Sequence, residues 1–182
     1  MWARRETGKK RIFVAVGISK PLQETILLWQ VAHAKLPVRW LTGKNLHVTL
    51  IPPWYAEEIA EARELLRTIE GRPRPIDIEF TKVTFGPDPA RPRLIWAEGF
   101  TPQPLIALKK MTEAALGQKP EARPFRLHLT LARFREEDFP AFPVRTLSET
   151  VAWRDTIHSF LLMESHLSRS GADYKILEEI ML

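Results

Sequence analysis

One hexapeptide pattern occurs twice in this chain. Residues 45–50 read Asn-Leu-His-Val-Thr-Leu and residues 126–131 read Arg-Leu-His-Leu-Thr-Leu, aligned without a gap. Alternate side chains of a strand point to opposite faces. Each copy therefore predicts a half-buried strand. His47 and Thr49 share one face, against Leu46, Val48 and Leu50 on the other. His128 and Thr130 repeat this against Leu127, Leu129 and Leu131. A single histidine in a strand is most often a structural residue. A second copy in the same apolar frame has no structural reason to exist. The repeat predicts two related lobes, each giving one polar strand face to a shared cleft.

The rest of the chain fits strands and helices around that frame. Ile12 to Ile18 is a β-branched run read as a buried strand. Ser19 can cap a helix with Pro21 in its first turn, and Leu22, Ile26, Trp29 and Ala32–His33 recur at helical spacing. Strands are expected over Val38 to Leu41 and Leu46 to Leu50, the second ended by Pro52–Pro53. An amphipathic helix over Ala56 to Glu70 stops at Gly71, and Arg72 to Pro75 reads as a linker. Strands over Ile76 to Phe85 and Leu94 to Ala97, a helix over Pro104 to Leu116 ending at Gly117, and a strand over Leu127 to Phe134 follow. Arg135 to Glu149 reads as irregular. Thr156 to Leu162 and Tyr174 to Ile180 read as a hairpin closed near Ser170–Gly171. The expected fold class is α+β: two pseudo-symmetric lobes of mainly antiparallel β-sheet flanked by helices, with a central cleft. Residues 1–10 are expected to be a loose basic extension, and residues 11–182 a single two-lobed domain.

Composition narrows the chemistry. Cysteine is absent, which removes thiolate nucleophiles, disulfides and Cys-based zinc sites. No acid stands beside either motif and there is no H-E-x-x-H, so metal ligation by the two histidines is a minor alternative. There is no phosphate-cradling glycine loop and no G-x-S-x-G. No apolar run is long enough to span a bilayer. A net charge of +5 suits a polyanion such as RNA. Two imidazoles, one neutral and one protonated, can serve as base and acid, while Thr hydroxyls hold phosphate oxygens. The remaining histidines read more simply: His33 as a flanking helix residue, His158 as structural, and His166, in a near-copy His-Leu-Ser, as a decoy. Lys9, Lys10 and Arg11 read as a solvated basic tail.

The chain resembles the RNA 2′,3′-cyclic phosphodiesterases, also called 2′-5′ RNA ligases, of the two-histidine phosphoesterase superfamily. Beyond the paired motifs, the resemblance rests on Arg11-Ile-Phe-Val-Ala, Arg39-Trp40, Pro89 to Trp96, Arg123-Pro-Phe, and the extension of the second motif through Ala132-Arg133. It continues into Glu164-Ser-x-Leu-Ser and Gly171-Ala-Asp-Tyr174. It implies no metal cofactor and in-line attack of water on a cyclic phosphate, leaving a 2′-phosphate. The near symmetry of the copies leaves open which histidine does what; the resemblance implies His47 as general acid and His128 as general base. Thr49 and Thr130 would hold the non-bridging oxygens, and Arg133 would add charge. Strict alternation puts Arg133 on the wrong face, so it reaches the site only if the strand twists, bulges or ends there. The family often has Pro where this chain has Leu127. It commonly has a basic residue and Phe where this chain has Ile51-Pro52-Pro53-Trp54. Trp54 and Tyr55 are therefore the aromatic candidates for stacking on the terminal base. The implied partner is RNA with a 2′,3′-cyclic phosphate end, tRNA fragments among the candidates, handled by a cytoplasmic monomer. Reverse 2′-5′ ligation is also open. An RNA-end-binding module, or a phosphodiesterase for a small cyclic or 2′,5′-linked nucleotide, stands as the alternative.

Overall fold

The computed structural model describes residues 8–168 and 171–182. Among them the chain runs β1 (Lys10–Gly17), α1 (Lys20–Ala32), β2 (Arg39–Trp40), β3 (His47–Ala56), α2 (Ile59–Arg67), β4 (Ile76–Gly86), β5 (Leu94–Glu98), α3 (Gln103–Ala115), β6 (His128–Arg133), β7 (Ser148–Ile157), β8 (Ser159–Ser168) and β9 (Gly171–Met181). The strands form two antiparallel sheets, ordered β3-β1-β8-β9 and β2-β6-β5-β4-β7. This is the α+β, two-sheet architecture that the repeated motif predicts.

The two sheets are related by pseudo-symmetry. The unit β1–α1–β3 is repeated as β5–α3–β6, with a motif strand at the end of each unit. The lobes are not successive halves of the chain, because β8 and β9 return from the C-terminus to complete the first sheet. The helices are exchanged as well. α1 leaves the first sheet and packs on the second, where Trp29 meets Trp40 and Trp153 edge-on at 6.0 and 6.1 Å. α3 leaves the second sheet and packs on β3 of the first. One buried cluster accordingly draws Ile12 and Val14 from β1, Ile26 from α1, Leu66 from α2, Phe80 from β4, Leu105 from α3 and Leu129 from β6.

Local signals explain most boundaries. The Ser19 hydroxyl accepts from Leu22 N at 3.4 Å and opens α1. α3 closes with Gly117 at φ 61°. There Gln118 N–H reaches Glu113 O at 2.9 Å and Gly117 N–H reaches Ala114 O at 3.2 Å, the paired bonds of a left-handed helix stop. β1 is buried on both faces: Ile12, Val14 and Val16 enter the main core, while Phe13 and Ala15 form a second cluster with Leu161 and Met163.

Four expectations need correction. β3 runs through Pro52 and Pro53 to Ala56 instead of ending at them. It is an edge strand, and the ladder jumps there from Val14↔Ile51 to Ile12↔Trp54, so the two missing N–H groups fall where no ladder bond is needed. α2 is shorter than the expected helix, since residues up to Ala56 belong to β3. A whole strand, β7, lies where an irregular segment and the start of a hairpin are expected; the chain breaks at His158 and β8 begins after it. β7 is an outer strand with only Trp153 and Ile157 buried, so its apolar signal is weak. β1 starts at Lys10, inside the expected loose extension. Lys9 pairs with Glu57 at 2.6 Å, and Arg11 donates to Ser165 Oγ at 2.6 Å. Residues 1–7, and Ser170 at the expected hairpin closure, lie outside the described residues; Ser168 pairs with Gly171 across that closure.

Candidate active site

His47 and His128 are the first residues of β3 and β6, and these two strands touch across the pseudo-twofold. The two rings are held in the same way. His47 Nδ1 lies 2.8 Å from Asn45 O, and His128 Nδ1 lies 2.9 Å from Arg126 O. A carbonyl can only accept, so Nδ1 carries the proton in both rings. Nε2 is left as the acceptor of a neutral ring or the donor of a protonated one. One tautomer is thereby fixed twice by the backbone two residues upstream. Phe13 and Tyr174 flank the His47 ring, with centroids at 5.1 and 5.0 Å; Trp96 flanks His128 at 5.0 Å. Thr49 and Thr130 follow on the same strand faces, half-buried.

The ladders explain how Arg133 joins them. Between β5 and β6, Trp96 pairs with Thr130 and Ile95 with Ala132, so Leu131 has no partner. Leu131 and Ala132 are both fully buried and Arg133 emerges exposed. This one-residue bulge resets the alternation and turns Arg133 to the face of Thr130. Its positive charge is one of the influences on His47. The first motif has the same bulge. Ala15 pairs with Thr49 and Val14 with Ile51, leaving Leu50 unpaired, and here the position matching Arg133 is Pro52. The repeat thus extends to backbone irregularity, but only the second copy delivers a cation.

At each bulge a carbonyl inside the core is met by a buried polar side chain from the exchanged helix. Gln30 of α1 donates through Nε2 to Leu131 O at 3.3 Å and to Leu41 O at 3.1 Å. Lys109 of α3 donates to Leu50 O at 2.8 Å and pairs with Glu113 at 2.7 Å. Polar groups this deeply buried are stable only when bonded.

Burial pushes the His47 imidazole down to about 4, the Asn45 carbonyl opposing it and the charges of Arg133 and His128 adding to it. With the cleft empty, His47 is neutral at pH 7 and can only accept a proton.

The other expected residues are distributed as follows. Trp54 pairs with Ile12, on the face of β3 opposite His47, and packs partly buried against the main core. Counted from His47, alternation puts Trp54 on that face, where it also borders a surface pocket with Lys9 and Tyr55. Tyr55 is exposed, next to Arg11 across the ladder and far along β3 from His47. His33 is more than a flanking residue. It stacks on Trp29 at 3.9 Å and its Nε2 lies 2.7 Å from Glu149, pinning α1 to β7. His158 is exposed between β7 and β8, not within a strand. His166 is exposed in β8, 3.6 Å from Glu164. Tyr174, Gln30 and Lys109 are not among the expected site residues. The sequence signal for Tyr174 is its place in Gly171-Ala-Asp-Tyr; Gln30 has one too, since Leu22, Ile26 and Gln30 fall four residues apart and share the buried side of α1. Beside His47, Arg39, Asn45, Arg133 and Tyr174 line a pocket of about 150 Å³.

Among the described residues, no three His, Cys, Asp or Glu side chains gather as a metal site would need. No described helix is long and apolar enough to cross a membrane. A model of the 2′-5′ RNA ligase superfamily matches residues 20–169. The chain is 28% identical over 162 residues to a protein of Aeropyrum pernix named RNA 2′,3′-cyclic phosphodiesterase, covering 82% of this chain and 89% of that one. It is 29% identical over 165 residues to the protein of that name from Bacillus subtilis, covering 85% of each. In fold it is similar to a Thermus thermophilus protein (TM-score 0.77, 21% identity, 94% of this chain and 97% of that one). It is also similar to E. coli LigT crystallised with 3′-AMP (TM-score 0.74, 24% identity, 96% and 98%).

Proposed function

The chain belongs to the 2′-5′ RNA ligase superfamily, and on that premise we propose that it opens 2′,3′-cyclic phosphates at RNA ends and leaves a 2′-phosphate. The observation that carries this reading is the paired anchoring of His47 and His128. Two imidazoles from two sheets each have Nδ1–H held by a backbone carbonyl, which leaves Nε2 for proton transfer, and the charge of His128 is felt at His47. Such a pair can pass a proton in at one side of a phosphate and out at the other.

In this mechanism the cyclic phosphate sits between the two rings. His128 Nε2 takes a proton from water as the water oxygen bonds to phosphorus. The bond from phosphorus to the 3′ oxygen breaks, and His47 Nε2 gives that oxygen its proton. Thr49 and Thr130 donate to the non-bridging oxygens, and Arg133 offsets the charge that grows there. His47 can serve as acid only in the loaded cleft. The negative charge of the bound phosphodiester favours its protonated form against the burial that lowers it when the cleft is empty. The reverse reaction, attack of a 5′-hydroxyl and joining as a 2′-5′ bond, needs the same two proton transfers with the roles exchanged.

The test is turnover of a 2′,3′-cyclic nucleotide by His47→Ala and His128→Ala. Each replacement should lower kcat by at least about a hundredfold with the fold intact, the usual contribution of a general acid or base. Near-normal turnover by either variant would refute the pairing. His166→Ala is the control and should be unchanged.

A further inference from the structure

Trp54 lies on the face of β3 opposite His47, so an aromatic surface beside the histidines has to come from another element. We propose that Phe100 is a base-stacking platform beside His128, holding the base of the terminal nucleotide in a groove along the second sheet. This rests on the reading of the cleft as a nucleotide phosphate site.

Phe100 is 80% exposed, the most exposed of the large apolar side chains among the described residues. An isolated surface apolar residue needs no explanation, but this one stands on a clamped turn between β5 and α3. Gly99 N–H reaches Leu127 O at 3.4 Å, and Leu127 N–H donates to Thr101 Oγ1 at 2.8 Å. The turn is thus tied on both sides of Phe100 to the residue immediately before His128. Gly99 also lies so close to β4 that a Cβ there would come within 1.9 Å of Glu79 O, so the turn is seated directly on that strand. A ring carried on such a turn is already ordered, and a ligand stacking on it does not bear the entropy of fixing it.

Direction follows from the ladder. Glu98 pairs with His128, so the two share the cleft face of the second sheet, and Phe100 follows two residues later. Phe100 lines a groove of about 750 Å³ with Asp77, Glu79, Thr81, Arg154 and His158. Asp77 and Glu79 alternate with the core residues Ile76, Ile78 and Phe80, which places the groove on the cleft side of that sheet. The groove therefore opens on the same face of that sheet as His128 and Thr130.

Its charges favour a base over a second phosphate. Asp77 accepts from the Thr156 hydroxyl at 2.6 Å, Asp155 from Ser19 N–H at 2.7 Å, and Glu79 from Arg154 at 3.0 Å. Arg154 is thereby matched with a carboxylate, and the remaining acids would repel a phosphate. A neutral ring with polar edges suits an aromatic floor bordered by engaged hydrogen-bonding groups. Stacking on an aromatic side chain tolerates any base.

The test measures binding of adenosine 2′-phosphate and of inorganic phosphate to the intact protein by calorimetry, so that it does not depend on turnover. Phe100→Ala should weaken adenosine 2′-phosphate by about 5- to 150-fold, the range for loss of one stacked base, and leave phosphate within about twofold. Phe100→Trp should restore nucleotide binding. Unchanged nucleotide affinity in Phe100→Ala, or an equal loss for phosphate, would overturn the proposal. Failure of wild type to turn over 2′,3′-cyclic AMP while it binds adenosine 2′-phosphate would instead overturn the catalytic reading and leave the platform standing.

Discussion

Replacing Gln30 with Met tests whether the bulge at Leu131 aims Arg133. The substitution keeps length and volume but removes the donor to Leu131 O at 3.3 Å and to Leu41 O at 3.1 Å. Leu131 O still receives Leu41 N–H at 2.9 Å, so only part of the carbonyls' bonding is lost. A buried acceptor left short of a partner costs about 1–3 kcal/mol, and the remaining bond puts this case near the low end. A fall in Tm of roughly 2–8 °C follows for a domain of this size. The catalytic effect is bounded by what Arg133 contributes. A hydrogen bond to a charged group is worth about 1.5–3 kcal/mol, or roughly 10- to 150-fold in kcat/KM. The assay is therefore a double-mutant cycle on a cyclic-phosphate substrate. Gln30→Met should lower kcat/KM in wild type by some fraction of the loss seen in Arg133→Ala. Added to Arg133→Ala, it should cost less than about twofold. If the two losses multiply, Gln30 acts on the site by some other route, and if Gln30→Met is unstable but fully active, the bulge holds its shape without it.

Four further outcomes follow. Because burial lowers His47 to about 4 in the folded protein while an unfolded histidine titrates near 6.5, the unfolded chain binds more protons between those values. Stability should be complete above about pH 6.5 and fall by about 3 kcal/mol as the pH drops towards 4, and His47→Gln should remove that dependence in denaturant titrations. NMR titration should place the His47 ring at about 4 in the free protein and move it upward on adding inorganic phosphate; a value that does not move would exchange the acid and base roles. Lys109→Met leaves Glu113 buried without its partner at 2.7 Å and should cost about 3–5 kcal/mol in thermal melts, with Glu113→Leu recovering much of it; an unaltered melt would mean that the pair is not what holds Leu50 O. Exhaustive chelation with EDTA should leave turnover intact; loss of activity that zinc or manganese restores would assign the histidines to a metal.

The repeated hexapeptide makes the two sheets and the cleft legible because its alternation is clean and its polar face is duplicated. The alternation fails where the backbone departs from it. The bulges at Leu50 and Leu131 cannot be seen as a pattern, since Leu-Ile and Leu-Ala read equally well as ordinary strand residues. Arg133 is placeable from sequence only on condition of such a bulge, whereas Trp54, an odd number of residues from His47, falls on the opposite face by plain alternation. The residues that stabilise the bulges, Gln30 and Lys109, lie 101 and 59 positions away from the carbonyls they meet, on helices that cross to the other sheet. Helical spacing shows which side of α1 and α3 is inward, but not which sheet receives it. β7 escapes a sequence reading for a different reason: an outer strand with two buried residues carries little apolar signal.

The central claim concerns direction as well as reaction. Neither ester oxygen of a 2′,3′-cyclic phosphate is much the better leaving group, so the product is decided by which oxygen lies within reach of the protonated histidine. On the proposed assignment, with His47 as acid on one side and water at His128 on the other, the 3′ oxygen is the one that leaves. The direct measurement is chromatography of the product from a short RNA ending in a 2′,3′-cyclic phosphate, against 2′- and 3′-phosphate standards. A 2′-phosphate product, absent from reactions with His47→Ala or His128→Ala, is the predicted result. A dominant 3′-phosphate would contradict the assignment even if both histidines proved essential, because the substrate would then lie in the cleft the other way round.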